Sequence, residues 1–136
     1  MTYPVSVRLP LRELIAQYQG ESEWYVRALR DISALQVVVP APQEGWVEHV
    51  RYNPAAVGAV IGVTSTSAQS GQLITVRRSG VISDDSWSWF PGRPVGLAAD
   101  WTLTQTPPAS GVWCVVAYAV SVKQITIRIA SPVALA

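Results

Sequence analysis

The spacing of apolar positions changes near residue 36. Before it, apolar residues recur at helical intervals: Leu11, Leu14, Ile15 and Tyr18, then, beyond Gly20, Tyr25, Ala28, Leu29, Ile32 and Leu35. Pro10 suits a first helical turn and Ser22 is a candidate N-cap. Glu23 and Arg27 stand at i and i+4 in the favourable order for a helical ion pair. The pattern predicts two short amphipathic helices within residues 10–35, or one broken at Gly20. Neither is long enough to persist alone, so the stripe of Leu14, Tyr18, Tyr25, Leu29 and Ile32 is expected to dock on a neighbour.

After residue 36 the period falls to two. Val37-Val38-Val39 is a β-branched run closed by Pro40, and Trp46 to Tyr52 alternates apolar with polar. Further strands are expected at 57–64, 73–77, 80–82, 94–97, 102–104, 112–121 and 124–130. Turn chemistry at Asn53-Pro54, Pro91-Gly92 and Arg93-Pro94 separates several of them. In the last strand Ile125, Ile127 and Ile129 are expected on one face, with Thr126 and Arg128 on the other. Closely spaced strands without intervening helices predict a mainly β fold, a small β-sandwich or barrel with an N-terminal helical segment. Residues 1–54 are expected to form a helical attachment segment with linking strands, and residues 55–136 the β-domain.

Composition sharpens this picture. Charged residues make up 14% of the 136, against about 25% in an ordinary soluble domain, while 49% are hydrophobic. Eight of the nineteen charges fall within residues 8–31, leaving the β-rich part nearly neutral. Ten basic and nine acidic side chains give a net +1, which points to neither nucleic acid nor an anionic membrane as partner. The N-terminus shows no signal-peptide pattern, and no apolar run nears the roughly 18 residues of a membrane span. A small charge-poor domain leaves apolar surface outside, and self-association or assembly would cover it.

Chemistry-bearing residues are few. His49 is the only histidine and has no nucleophile-elbow motif to serve, so it is expected to be a polar surface residue at a strand rim. Cys114, in Val-Trp-Cys-Val-Val-Ala, is expected to be a buried small hydrophobe. These two ligands are too few for a structural zinc site, and no other metal or cofactor is expected. Asp84-Asp85 could converge on a cation or a glycosidic bond only within a turn, and nearby Gly80, Ser83 and Ser86 favour a solvated loop. Trp87 and Trp89 lie on one face of an extended segment. They either pack a core or interface, or form a sugar platform with Asp84 and Asp85 bonding hydroxyls. Packing is the simpler role, because the chain also uses Trp24, Trp46, Trp101 and Trp113. Arg77-Arg78 has no nearby aromatic in sequence for stacking nucleobases.

Several segments taken together carry a resemblance. Gly71-Gln72-Leu73-Ile74-Thr75-Val76, Ser79-Gly80-Val81, Trp87-Ser88-Trp89-Phe90-Pro91-Gly92-Arg93-Pro94-Val95 and Leu103-Thr104-Gln105-Thr106-Pro107-Pro108 resemble a β-domain of tailed-bacteriophage virion proteins. The resemblance covers roughly residues 55–135 and includes the closing strands and Ser131-Pro132-Val133. Such domains often carry a glycine before the Leu-Thr-Gln-Thr-Pro-Pro turn, where this chain has Asp100-Trp101-Thr102, so a different turn geometry is expected. The resemblance implies a non-enzymatic module, usually trimeric, made in the host cytoplasm and built into the virion beside other virion proteins. A tail-fibre or baseplate-associated protein is the first expectation and a capsid decoration protein the second. A carbohydrate-binding module recognising a host-surface glycan through Trp87 and Trp89 is the alternative from another class.

Overall fold

The computed structural model describes residues 23–135. Two sets of strands share one wall. The first set is β1 (Glu23–Ala28), β2 (Val37–Pro40), β3 (Trp46–His49), β4 (Gly62–Thr64) and β5 (Leu73–Arg77). It closes into a barrel in the order β1-β3-β2-β4-β5, with β5 returning to β1 in antiparallel register (Trp24↔Val76, Val26↔Ile74). Its strands come from both sides of residue 54. Val26, Ala28, Val38, Val47, Ile74 and Val76 fill the interior, with Ile32 and Ile61 completing the cluster.

The second set is β6 (Val81–Ser83), β7 (Pro94–Leu97), β8 (Leu103–Thr104), β10 (Val115–Ser121) and β11 (Gln124–Ile127), in the order β6-β11-β10-β7-β8. A ribbon of β9 (Gly111–Trp113) and β12 (Val133–Leu135) projects beside it. Ile82, Val95, Leu97, Val116, Ile125 and Ile127 of the sheet pack against Val37, Val39 and Val63 of the barrel and Val50 just beyond β3. Val38 therefore faces the barrel core while its neighbours Val37 and Val39 face the second core. A strand buried on both faces reads as a continuous apolar run, and each buried valine contributes on the order of 1.5–3 kcal/mol.

The second expected helical segment is not formed over the described residues 23–35. Glu23–Ala28 is a strand, held between β3 and β5, with Val26 and Ala28 buried and Tyr25 half-exposed at 50%. A helical stripe would need Tyr25 and Leu29 inside. The available partners on both sides instead select the period-2 set Trp24, Val26 and Ala28, and tertiary pairing overrides a short helical pattern. Glu23 consequently pairs across the sheet with Arg77 at 3.3 Å, and Arg27 donates to the Gly71 carbonyl at 2.9 Å. Ile32 enters the barrel core and Leu29 is half-buried, so neither forms a projecting stripe with Tyr25. The expected first helical segment, with Leu14 and Tyr18, lies outside the described residues.

Several strand boundaries also differ, and the strand expected over 112–121 is broken at Cys114 into β9 and β10, which belong to different sheets. Residues 54–59 form a 3₁₀ helix rather than the start of a strand, because Pro54 fixes a helical φ at its first turn. The strand expected through Tyr52 ends at His49, whose Nδ1 accepts the Arg51 N–H at 2.9 Å and caps the 3₁₀ turn Val50–Tyr52. β11 ends at Ile127, and Ile129 is exposed instead of joining Ile125 and Ile127 inside.

Candidate functional site

The Trp-rich segment follows β6 as an irregular strap. Backbone bonds from Asp84 to Lys123, Trp89 to Val122 and Gly92 to Ala119 tie it along the β10–β11 end of the sheet. Trp87 and Trp89 project to the same side, as their spacing predicts, and pack against the second core with Trp101 and Leu103. Their ring centroids are 5.5 Å apart with planes inclined at 54°. Inclined, partly buried rings do not make the flat shelf that a sugar ring stacks on. They line a cleft of 290 Å³ at the seam between barrel and sheet, together with Leu35, His49, Trp101 and Leu103. Trp89 Nε1 is buried there without a hydrogen-bond partner, a loss on the order of 1–3 kcal/mol.

Asp84 and Asp85 occupy the turn that opens this strap. Ser86 Oγ donates to Asp84 Oδ2 at 2.6 Å, and Lys123 Nζ donates to the carbonyls of Asp85 and Trp87. The Asp84 carboxylate is thus engaged locally rather than aimed at a ligand with Asp85. Among the described residues no three His, Cys, Asp or Glu side chains cluster as metal ligands would.

His49 is buried, contrary to the expectation of a surface residue. Burial first, and then the nearby Arg51 charge, hold its imidazole below the ordinary value. Tyr52 meets its edge at 6.2 Å between centroids, while the Arg30 and Arg51 guanidiniums lie 4.9 and 5.5 Å from the Tyr52 ring. Arg30 also approaches the buried Glu48 at 3.7 Å. This cationic–aromatic group joins residues separated by about twenty positions, and no motif in the sequence announced it.

Cys114 is buried at 1% exposure, as expected, and burial raises its thiol pKa. It lies at the wall of a second hollow, of 200 Å³, lined chiefly by Val57, Leu97, Trp101, Pro108 and Val112. Trp101 divides this hollow from the seam cleft and adopts φ +67°, the left-handed region that favours glycine. Thr102 holds the turn by donating its N–H and hydroxyl to Asp100 Oδ1 at 3.2 and 2.6 Å. Those hydrogen bonds, the hydroxyl's first, keep the Asp100 carboxyl below its usual pKa. A bulky side chain in this backbone conformation costs on the order of 1–2 kcal/mol, so packing of the indole must hold it there.

The outer face of the five-stranded sheet carries exposed apolar side chains. Val81, Thr126, Tyr118 and Pro94 stand in register across β6, β11, β10 and β7. Val81 is 45% and Tyr118 41% exposed, and Val120 and Val122 continue the patch. Beyond it projects Phe90, 62% exposed. Its N–H donates to Gln105 Oε1 at 2.8 Å, and Gln105 Nε2 donates back to the Phe90 carbonyl at 2.9 Å. The chain matches no protein-family model and no curated protein sequence.

Proposed function

We propose that this chain is a non-catalytic structural component of a tailed-bacteriophage particle, a tail-fibre or baseplate-associated protein acting through protein–protein assembly, with trimeric organisation. The observation that carries the proposal is the exposed apolar row on the outer sheet face, with Val81, Tyr118, Val120 and Val122 beside the rigidly presented Phe90. Monomeric proteins rarely leave contiguous apolar patches beyond a few hundred Å² in water. The resemblance at residues 71–108 supplies the virion setting, and the low charge of the β-rich part suits a surface destined for contact.

Two observations weigh against the glycan-binding alternative. The Trp87 and Trp89 planes are inclined and packed on the core, and Asp84 is bonded within its own turn. A capsid-decoration role would use the same assembly chemistry at a different place. The test is an electron-microscopy map of the intact particle. Density fitting this chain at the tail supports the proposal, density on the capsid supports decoration instead, and its absence from the particle refutes both.

A further inference from the structure

We propose that the seam cleft between barrel and sheet binds a small apolar carboxylate, an acid of arylacetate size whose head accepts from side-chain N–H groups while its body packs on the indoles. The inference goes beyond the assembly reading, which uses the outer sheet face and not this cleft. Three separate costs converge here. Among the described residues, the non-glycine residues with positive φ are Leu35 (φ 64°) and Trp101 (φ 67°), and both line the cleft. Bulky side chains seldom occupy that backbone region, and such outliers gather where a fold is shaped around a ligand. The third cost is Trp89 Nε1, the one buried side-chain polar atom among the described residues that lacks a hydrogen-bond partner. Buried donors are nearly always paired, so this orphan marks a place where an acceptor belongs.

The polar groups of the lining are unbalanced in one direction. His49 is buried and its Nδ1 accepts the Arg51 N–H at 2.9 Å, so the neutral ring carries its proton on Nε2. Burial and the Arg51 charge keep that ring neutral at neutral pH. Gln36 Oε1 accepts the Ser33 N–H at 3.1 Å, which leaves its side-chain N–H groups without a partner among the described residues. Thr102 is the exception, since its hydroxyl proton goes to Asp100 Oδ1 and only lone pairs remain. None of the described residues lining the cleft is acidic. Of the acids adjacent to them in sequence, Glu48 faces Arg30 at 3.7 Å, and Asp100 is exposed with one oxygen held by Thr102.

A carboxylate answers this lining. It only accepts, it has lone-pair sites for several donors, and its charge strengthens each bond beyond that of a neutral carbonyl. An ammonium head, although indole faces attract cations, would leave every one of these donors unpaired. The His49 and Gln36 donors come from the barrel side, whereas Trp87, Trp101 and Leu103 supply apolar wall from the side of the sheet. Head and body therefore have separate places. The cleft volume of 290 Å³ exceeds the roughly 150 Å³ that already houses benzene. The Trp89 ring is half-buried, and a small turn of it brings the N–H from beneath the lining to the carboxylate.

The test titrates the full-length, isotope-labelled chain with sodium phenylacetate and reads the six indole N–H resonances. A saturable downfield shift of the Trp89 resonance is expected. Acetate, which has the head without the body, and 2-phenylethylammonium, which has the body with a donor head, should leave it in place at the same concentrations. Gln36→Glu keeps the acceptor for the Ser33 N–H but replaces the donor with a like charge. Trp89→Phe keeps an aromatic ring and deletes the indole N–H. Each should weaken phenylacetate by about tenfold or more with unchanged circular dichroism. Absence of a saturable shift up to tens of millimolar overturns the site. Equal binding of the ammonium overturns the ligand class, and equal binding of acetate leaves an ion site only and overturns it too. Should Trp89→Phe unfold, Gln36→Glu decides alone, and an affinity equal to that of the wild type overturns the donor set. None of these results bears on the assembly reading.

Discussion

Substituting Gly62 by alanine should open the wall between the two cores. Gly62 lies on β4, paired with Val38, and its neighbour Val63 is paired with Arg77 and buried in the second core. A methyl group at position 62 would stand 2.1 Å from the Arg77 carbonyl oxygen and 3.0 Å from Val76 Cγ1. The first contact is backbone, so no side-chain rotation relieves it. The β5 carbonyl would have to retreat by about 0.9 Å simply to reach a separation of 3.0 Å, the least that real contacts of this kind show. Overpacking costs on the order of 1–3 kcal/mol, and disturbing two ladder bonds adds roughly 2. The reduced freedom of the unfolded chain returns about 0.4–1 kcal/mol. The expected net loss is about 3 kcal/mol. Urea unfolding followed by tryptophan fluorescence reads it, at one low protein concentration so that association does not enter the comparison. Gly58→Ala is the control, since a methyl there meets nothing within 4 Å. It should unfold within about 1 kcal/mol of the wild type, on the stable side. A Gly62→Ala midpoint equal to that of the wild type would refute the double-sided wall.

Three further outcomes are expected. His49 has a lowered pKa in the folded chain, so the unfolded chain binds the additional proton first. Stability should be complete above the ordinary histidine value of 6.5 and decline as pH falls from there toward the folded value, and His49→Asn, which keeps a capping acceptor, should flatten this part of the profile. Urea midpoints across pH 4–8, a range set about the histidine titration, check the sign; a midpoint rising on acidification would contradict it. The Cys114 thiol should ignore a disulfide reagent in the folded chain and react fully once urea unfolds it, with rapid reaction of folded protein as the contrary result. Trp89→Ala should cost about 3 kcal/mol in the same unfolding assay. Unchanged stability with lost binding to bacterial surface polysaccharide would instead favour the glycan-binding alternative.

The strands most legible in the sequence are those whose environment is simplest. Ile125 and Ile127 alternate with Thr126 because β11 has one buried and one open face. The Val37–Val39 run signals a strand through β-branching alone, since burial on both faces erases alternation. Glu23–Ala28 was illegible for a related reason. Six residues hold fewer than two helical turns, so Ala28 satisfies both periods, and only the flanking strands β3 and β5 decide between them. The short 3₁₀ helix after Pro54 is equally local, but Val57 to Thr64 is apolar throughout and has no pattern from which to read its end.

The candidate site shows where one-dimensional motifs gain physical meaning. Phe90-Pro91-Gly92-Arg93 and Leu103-Thr104-Gln105 are separate pieces of the virion-like resemblance, yet Gln105 bonds the backbone of Phe90 and Arg93. Spacing could place Trp87 and Trp89 on one side, but it could not give the 54° inclination of their planes. Nor could it show that Trp101 takes a left-handed backbone conformation and stands as the wall between two hollows. The apolar residues that escape both cores fall into several groups: Val81, Tyr118, Val120, Val122 and Phe90 on and beside the five-stranded sheet, Tyr25 and Leu73 on the barrel, and Val112 and Val133 on the β9–β12 ribbon.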